Sequence, residues 1–260
     1  MLPFIRRKKT TDRLAALQPC PLPVELDLSQ ARRILVFAPH PDDETLGCGG
    51  TLARLAPQCA IKVVLVTDGS GAGGLPAGAA QTRQVEFQRA LGQLGIADWE
   101  CLQQPDGDFR ANSTLAQQVQ DLLHAHQPNW VFLPSPWDYH RDHVRISDFV
   151  ESLCRSATGV EQLLFYEIWA PVPATHVVDI TEQATSKLAA LSEHATALAC
   201  GDYLRAAQGL AQYRGLYLGV NRLAEAFYVE SVSQRTDFQK LQSVGLDILE
   251  RIARLRQTLT

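Results

Sequence analysis

The chain has 260 residues, with 24 Lys+Arg against 28 Asp+Glu for a formal charge of −4, and it is 46% hydrophobic and 20% charged. That composition belongs to a folded globular protein. Its weak acidity argues against general attraction to nucleic acid, so no nucleic-acid partner is expected. No apolar run approaches the roughly 20 residues that cross a bilayer. A chain of this length buries about three quarters of its unfolded surface and needs no disulfide staples. Residues 1–32, rich in Pro and basic side chains, read as an irregular lead-in, and 33–260 as a single domain. Arg6, Arg7, Lys8 and Lys9 are followed by no apolar signal core, so no secretory peptide is read, and contact of this tail with a membrane surface is left open. Six scattered cysteines form neither a zinc ribbon nor a disulfide framework, which points to a reducing cytoplasm.

Strand and helix patterns then alternate. The apolar run 34–38 predicts a strand buried on both faces, 45–55 a helix, and the β-branched run 61–67 a second strand. Residues 81–94 read as an amphipathic helix, with Val85, Leu91 and Leu94 on the apolar side and Arg83, Glu86 and Arg89 on the polar side. A short strand at 99–102 and a helix at 115–126 follow. A strand at 129–133 is expected to stop at Pro134. Further strands are expected at 163–169, 175–180 and 226–229, with helices at 184–199, 203–215 and 236–256. This alternation predicts an α/β fold, a Rossmann-like three-layer sandwich around a mainly parallel sheet.

The chemistry-bearing segment is Ala38-Pro39-His40-Pro41-Asp42-Asp43-Glu44, placed where the first strand ends. Ligands in open α/β sheets bind outside the carboxyl ends of the strands. Helix capping alone would need one Asp and would not explain His40 or the two prolines. A second cluster, Asp138-Tyr139-His140-Arg141-Asp142-His143, follows the strand ending near Leu133. A parallel sheet brings both loops to one edge, where His40, Asp43 and His143 make a two-His, one-carboxylate set. Such a set is typical of catalytic zinc, and it also resembles the facial triad of non-haem iron.

The run from Ala38 through Gly47-Cys48-Gly49-Gly50-Thr51 resembles the signature of the LmbE-like, or PIG-L, family of zinc-dependent de-N-acetylases. Thr67-Asp68-Gly69, Arg83 with Glu86, Pro105-Asp106-Gly107, His140 to His143, Tyr166-Glu167-Ile168-Trp169, Val178-Asp179-Ile180-Thr181 with Lys187, and Ala224-Glu225-Ala226-Phe227 resemble the family in the same order. The resemblance covers about 33–230 and implies the LmbE-like fold. It implies that His40, Asp43 and His143 hold Zn2+, with another divalent metal such as Fe2+ as the alternative. Asp42 matches the general base and His140 the histidine that stabilises the oxyanion as an imidazolium and protonates the leaving amine. Asp142 is expected to orient or tune His140. The implied reaction is removal of the N-acetyl group from an N-acetylglucosamine-type amino sugar or glycoconjugate, releasing acetate.

Arg141 stands where the family usually has Pro, and with Arg83 it is a candidate for binding the substrate. Trp137 and Trp169 are candidates for stacking on a sugar. Gly69-Ser70-Gly71-Ala72-Gly73-Gly74 has dinucleotide-fingerprint spacing but follows the second strand and runs on into Leu75-Pro76, so it reads as a loop over the site. His124 and His126 read as favourable charge at a helix end or as surface residues, and His194 as an ordinary helix residue. Two alternatives remain: an amidase acting on another amide, such as a thiol-sugar conjugate, and a non-catalytic carbohydrate- or nucleotide-binding module. Substrate identity, pathway and a homo-oligomeric state are left open.

Overall fold

In the computed structural model, which describes residues 22–71 and 75–233, the 34–38 run belongs to a strand with no solvent-facing side. Among these residues the strands are β1 (Val24–Glu25), β2 (Arg33–Ala38), β3 (Ala60–Thr67), β4 (Asp98–Gln104), β5 (Trp130–Pro134), β6 (Gln162–Tyr166), β7 (His176–Asp179) and β8 (Ala224–Ser231). The helices are α1 (Asp43–Leu55), α2 (Ala79–Gln93), α3 (Ser113–His126), α4 (Arg141–Cys154), α5 (Ala184–Glu193), α6 (Ala195–Leu198) and α7 (Tyr203–Gly215). The strands form one sheet in the order β1-β7-β8-β6-β5-β2-β3-β4. All pairings are parallel except those of β8 with β6 and β7.

Because side chains alternate along a strand, β2 feeds two cores. Ile34, Val36 and Ala38 pack with Cys48, Leu52 and Leu55 of α1 and Phe87, Ala90 and Leu91 of α2. Leu35 and Phe37 pack with Leu115 and Val119 of α3 and Ile146 and Val150 of α4. Helices on both faces make the expected three-layer sandwich. Helix α1 settles deeply on the sheet at Gly47, where a Cβ atom would lie 2.1 Å from the Tyr166 ring. Tyr166 in turn donates its hydroxyl proton to the Phe37 carbonyl at 2.6 Å.

Several expectations are corrected. Pro134 stays in the ladder as its last rung, paired with Tyr166; at a strand end the missing N–H costs little. Strand β6 stops at Tyr166 instead of running to 169, because the Glu167 carboxylate accepts Val172 N at 2.8 Å and the Arg214 guanidinium, which turns the chain. The 184–199 helix breaks at His194. The 226–229 strand extends to Ala224–Ser231, and the end of the lead-in supplies the edge strand β1, paired with β7. Helix α2 buries Arg83 and Glu86 and exposes Val85. Its inward polar residues meet specific partners, so hydrophobicity alone does not define the inner face. The 236–256 helix lies outside the described residues.

A buried ion pair fastens α1 to the sheet and to α5. Lys187 Nζ donates to Glu225 Oε1 at 2.6 Å and to the Leu46 carbonyl at 2.7 Å, and Glu225 also accepts from Gly50 N and Thr51 N at 2.8 and 2.7 Å. Glu225→Ala leaves a buried ammonium and two amides without their acceptor, and should cost about 3 kcal/mol or more in urea unfolding. The double variant Lys187→Met/Glu225→Leu should recover much of that loss.

Candidate active site and metal centre

The chain passes from β2 through β3 to β4 on one side, then returns to β5 on the other side of β2. The carboxyl ends of β2 and β5 therefore flank a topological switch point, where such sheets open a ligand crevice. The turn leaving β2 is pinned from outside. Pro39 O accepts Thr67 N at 3.1 Å and Thr67 Oγ1 at 2.7 Å. Arg83 donates to Pro41 O at 3.2 Å and to Gly69 O at 3.1 Å. Gly69, at φ +73°, presses on Pro41, and a Cβ there would lie 2.9 Å from the proline Cγ. These ties hold Asp42 at φ 124°, a backbone state that costs a non-glycine residue about 1–3 kcal/mol.

The turn delivers His40 and Asp43, and the first turn of α4 delivers His143. His40 Nδ1 and His143 Nε2 lie 3.1 Å apart, and each lies 3.1 Å from Asp43 Oδ2. Three donors each about 2.0–2.1 Å from a tetrahedral ion stand roughly 3.3 Å from one another, so this set fits a small divalent cation. Only one proton fits between two ring nitrogens at 3.1 Å, so at least one of them presents a bare lone pair. The far side of each ring faces carboxylates: His40 Nε2 is 3.3 Å from Asp106 and 3.5 Å from Asp142, and His143 Nδ1 is 3.3 Å from Asp138. These contacts are long for hydrogen bonds, but they have the carboxylate–histidine arrangement that orients metal ligands. His140 adds a third imidazole, its ring centroid 4.7 Å from that of His40 and 4.6 Å from that of His143.

The electrostatics favour a cation. Burial works against protonating His143, but Asp43 and Asp138 outweigh it and raise its pKa to about 9. His40 is also raised against the cost of its burial, by Asp106, Asp142 and Asp43. Asp43, despite burial, is held low by His143 and His40. Asp42 goes the other way: burial and the neighbouring Asp43 charge push it up to about 7. Burial and the charges of His40 and His143 lower His140.

A cavity of about 240 Å³ opens over these groups. Its walls include His40, Asp42, Asp43, Arg83, Asp106, His140, Trp169 and Tyr203. Arg83 lines it, although its guanidinium is engaged by Pro41 O and Gly69 O. Arg141, the first residue of α4, is exposed and is not part of that lining. Trp169 forms part of the wall, whereas Trp137 packs edge-on against Tyr228 with ring centroids 5.3 Å apart. Asp142 does not hydrogen-bond His140. It accepts Gly107 N at 2.7 Å and Phe109 N at 3.2 Å; burial would raise its pKa, but the His40 ring and these two amides outweigh that and bring it to about 2. Its place in the buried first turn of α4 aims the carboxylate back at the 107–109 loop.

Sequence reasoning assigned no role to Asp106, Asp138 or His194. Asp106 and Asp138 were visible only as members of quoted motifs. His194, nearly fully buried, lies 3.5 Å from Thr45 Oγ1 and 3.7 Å from Glu44, a contact between segments that no local spacing reveals. His126, read as a helix-end or surface residue, is buried with Nε2 2.9 Å from the Ile34 carbonyl.

Comparison with known proteins identifies the family. The family model described as "PIG-L: GlcNAc-PI de-N-acetylase" matches residues 35–154. An uncharacterized deacetylase of Escherichia coli K12, YaiS, is 30% identical over 180 residues, which is 64% of this chain and 92% of that protein. The chain belongs to the PIG-L family. A diacetylchitobiose deacetylase of Thermococcus kodakarensis is 30% identical over 124 residues, covering 44% of this chain and 46% of that one. The fold also matches N,N'-diacetylchitobiose deacetylase from Pyrococcus horikoshii, with a TM-score of 0.71 at 22% identity over 82% of this chain and 90% of that one. Within this PIG-L site, Asp138 joins three elements: besides facing His143 it accepts His140 N at 2.8 Å and Trp169 N at 3.0 Å. Asp138→Asn keeps the shape but removes the charge, and should weaken the affinity of this candidate site for a divalent cation by roughly 10–100-fold, read with zinc as the probe in competition with a chromophoric chelator.

Proposed function

We propose that this PIG-L protein is a zinc-dependent de-N-acetylase that hydrolyses the acetamide of an N-acetylglucosamine-type amino sugar or glycoconjugate, releasing acetate and the free amine. The observation that carries the reading is the triangle of His40 Nδ1, Asp43 Oδ2 and His143 Nε2, with 3.1 Å edges, beside Asp42 in one cavity. In this reading those three atoms hold the ion, which when bound polarises a carbonyl and makes water acidic enough to attack near neutral pH.

The remaining work falls to the protein's own side chains. Asp42, in the cavity lining and without a hydrogen bond to cap its helix, accepts the proton from the attacking water at a carboxylate oxygen. As the C–N bond breaks, one proton must reach the departing nitrogen. His140, also in the lining, donates toward the developing oxyanion and relays that proton to the amine. Asp142 acts on this chemistry through His40 and the 107–109 loop. Arg83 adds positive charge to the wall where a sugar hydroxyl or carbonyl would sit. Arg141, outside that lining, is given no substrate contact. The sugar-type substrate follows the family and the diacetylchitobiose deacetylases it resembles, and the partly exposed Trp169 supplies a flat wall for a pyranose ring. We place the reaction in the cytoplasm, in keeping with the free thiols of Cys48, Cys59, Cys101, Cys154 and Cys200.

The test is acetate and amine release from N-acetylglucosamine and its disaccharide. Activity should vanish with a chelator and return with zinc. Asp42→Ala should retain zinc yet lose about 10²–10⁴-fold in kcat. Full activity in that variant removes Asp42 as the base, and failure to release acetate from any amino sugar by zinc-loaded protein overturns the reading.

A further inference from the structure

A second cavity, of about 250 Å³, adjoins the catalytic one and is lined almost wholly by apolar groups. The two share the side chains of Leu46, Trp169 and Tyr203. Leu46 sits one helical turn from Asp42 and Asp43. Trp169 and Tyr203 meet edge to face, with ring centroids 5.7 Å apart, and stand between the two spaces. Beyond them α7 presents Ala206 and Leu210 four residues apart, on one helix face, and Ile168 contributes another wall. The small Ala206 side chain leaves room that a larger residue would fill.

The single charged group in this lining is already satisfied. Glu167 Oε1 accepts Val172 N at 2.8 Å, and both of its oxygens are held by Arg214, with Arg214 Nε 3.1 Å from Oε2. A guest therefore meets carbon surface, with no open carboxylate to solvate. An aliphatic guest gains here from leaving water, whereas a polar one finds few partners beyond the Tyr203 hydroxyl.

We infer that this cavity is a subsite for an aliphatic chain carried by the substrate. This rests on the de-N-acetylase reading of the adjoining site. The shared wall places the chain next to the catalytic groups, and either of two parts of an amino-sugar conjugate would supply it: a group on the nitrogen or an alkyl group on the anomeric oxygen. Substrate preference should then be set by Leu46, Trp169, Tyr203, Ala206 and Leu210 as well as by the polar groups over the metal.

The test is calorimetric binding of two non-hydrolysable series to zinc-loaded protein: N-alkyl glucosamines, and alkyl β-glucosides, each from methyl to octyl. In one series the affinity should rise by about fourfold per methylene and then level off once the cavity is filled. The series that responds identifies the chain's point of attachment. Ala206→Phe, and separately Leu210→Trp, should flatten that rise. Two results overturn the inference: affinity independent of chain length in both series, or a rise that both filling variants leave intact. Neither series contains an amide, so a flat result leaves the acetate-release reading standing, and a failure of acetate release leaves the binding result to be judged by itself.

Discussion

The turn after β2 is the constraint on which the site depends. It must reverse the chain within four residues and still bring His40 Nδ1 to 3.1 Å from Asp43 Oδ2, with Asp42 in the same cavity. Left to itself the backbone would not keep Asp42 at φ 124°. Thr67 from the end of β3 and Arg83 from α2 hold the carbonyls of Pro39 and Pro41, and Gly69 closes against Pro41. The strain is local, and the ties that oppose it come from neighbouring strands and helices. The glycines and the Lys187–Glu225 pair let α1 lie close to the sheet, and so fix where its first turn points.

Around that turn the carboxylates divide their work by environment. Asp43 sits between the His40 and His143 ring nitrogens and is held low by them. Asp106, Asp138 and Asp142 face the outer sides of the imidazoles and are held low by them and by backbone amides, even though burial alone would raise all three. Asp42 has no such partner and is raised instead. One cluster thus contains acids of opposite tendency, the condition under which one carboxylate binds a cation and its neighbour handles a proton. The apolar space behind Trp169 and Tyr203 adds a third environment against the same wall.

Much of this was legible in the sequence because it is local. The buried run 34–38, the switch to helical spacing after it, and the His40–Asp43 and His140–His143 clusters each declare themselves within a few residues. A parallel sheet puts both clusters at one edge, and the pairing of β2 with β5 in the structure brings them together. What escaped is non-local or depends on orientation. Arg83 and Glu86 read as a polar face, yet they point inward because Pro41 O and the Thr196 amide and hydroxyl await them. Asp142 was expected to orient or tune His140; its charge acts on that ring, but its position in the first turn of α4 gives its direct contacts to the 107–109 loop and His40. His194 reaches Glu44 only because α5 breaks there. Spacing along a chain does not carry those directions.

The central claim is that His40, Asp43 and His143 share one ion. The direct measurement is anomalous diffraction at the zinc edge from crystals grown with the metal. The account predicts one strong peak about 2 Å from each of His40 Nδ1, Asp43 Oδ2 and His143 Nε2. A peak among His40, His140 and His143 away from Asp43, a peak among His40, Asp106 and Asp142, the two further donor groups close enough to hold a cation there, or no peak in the cavity at saturating zinc, would contradict it.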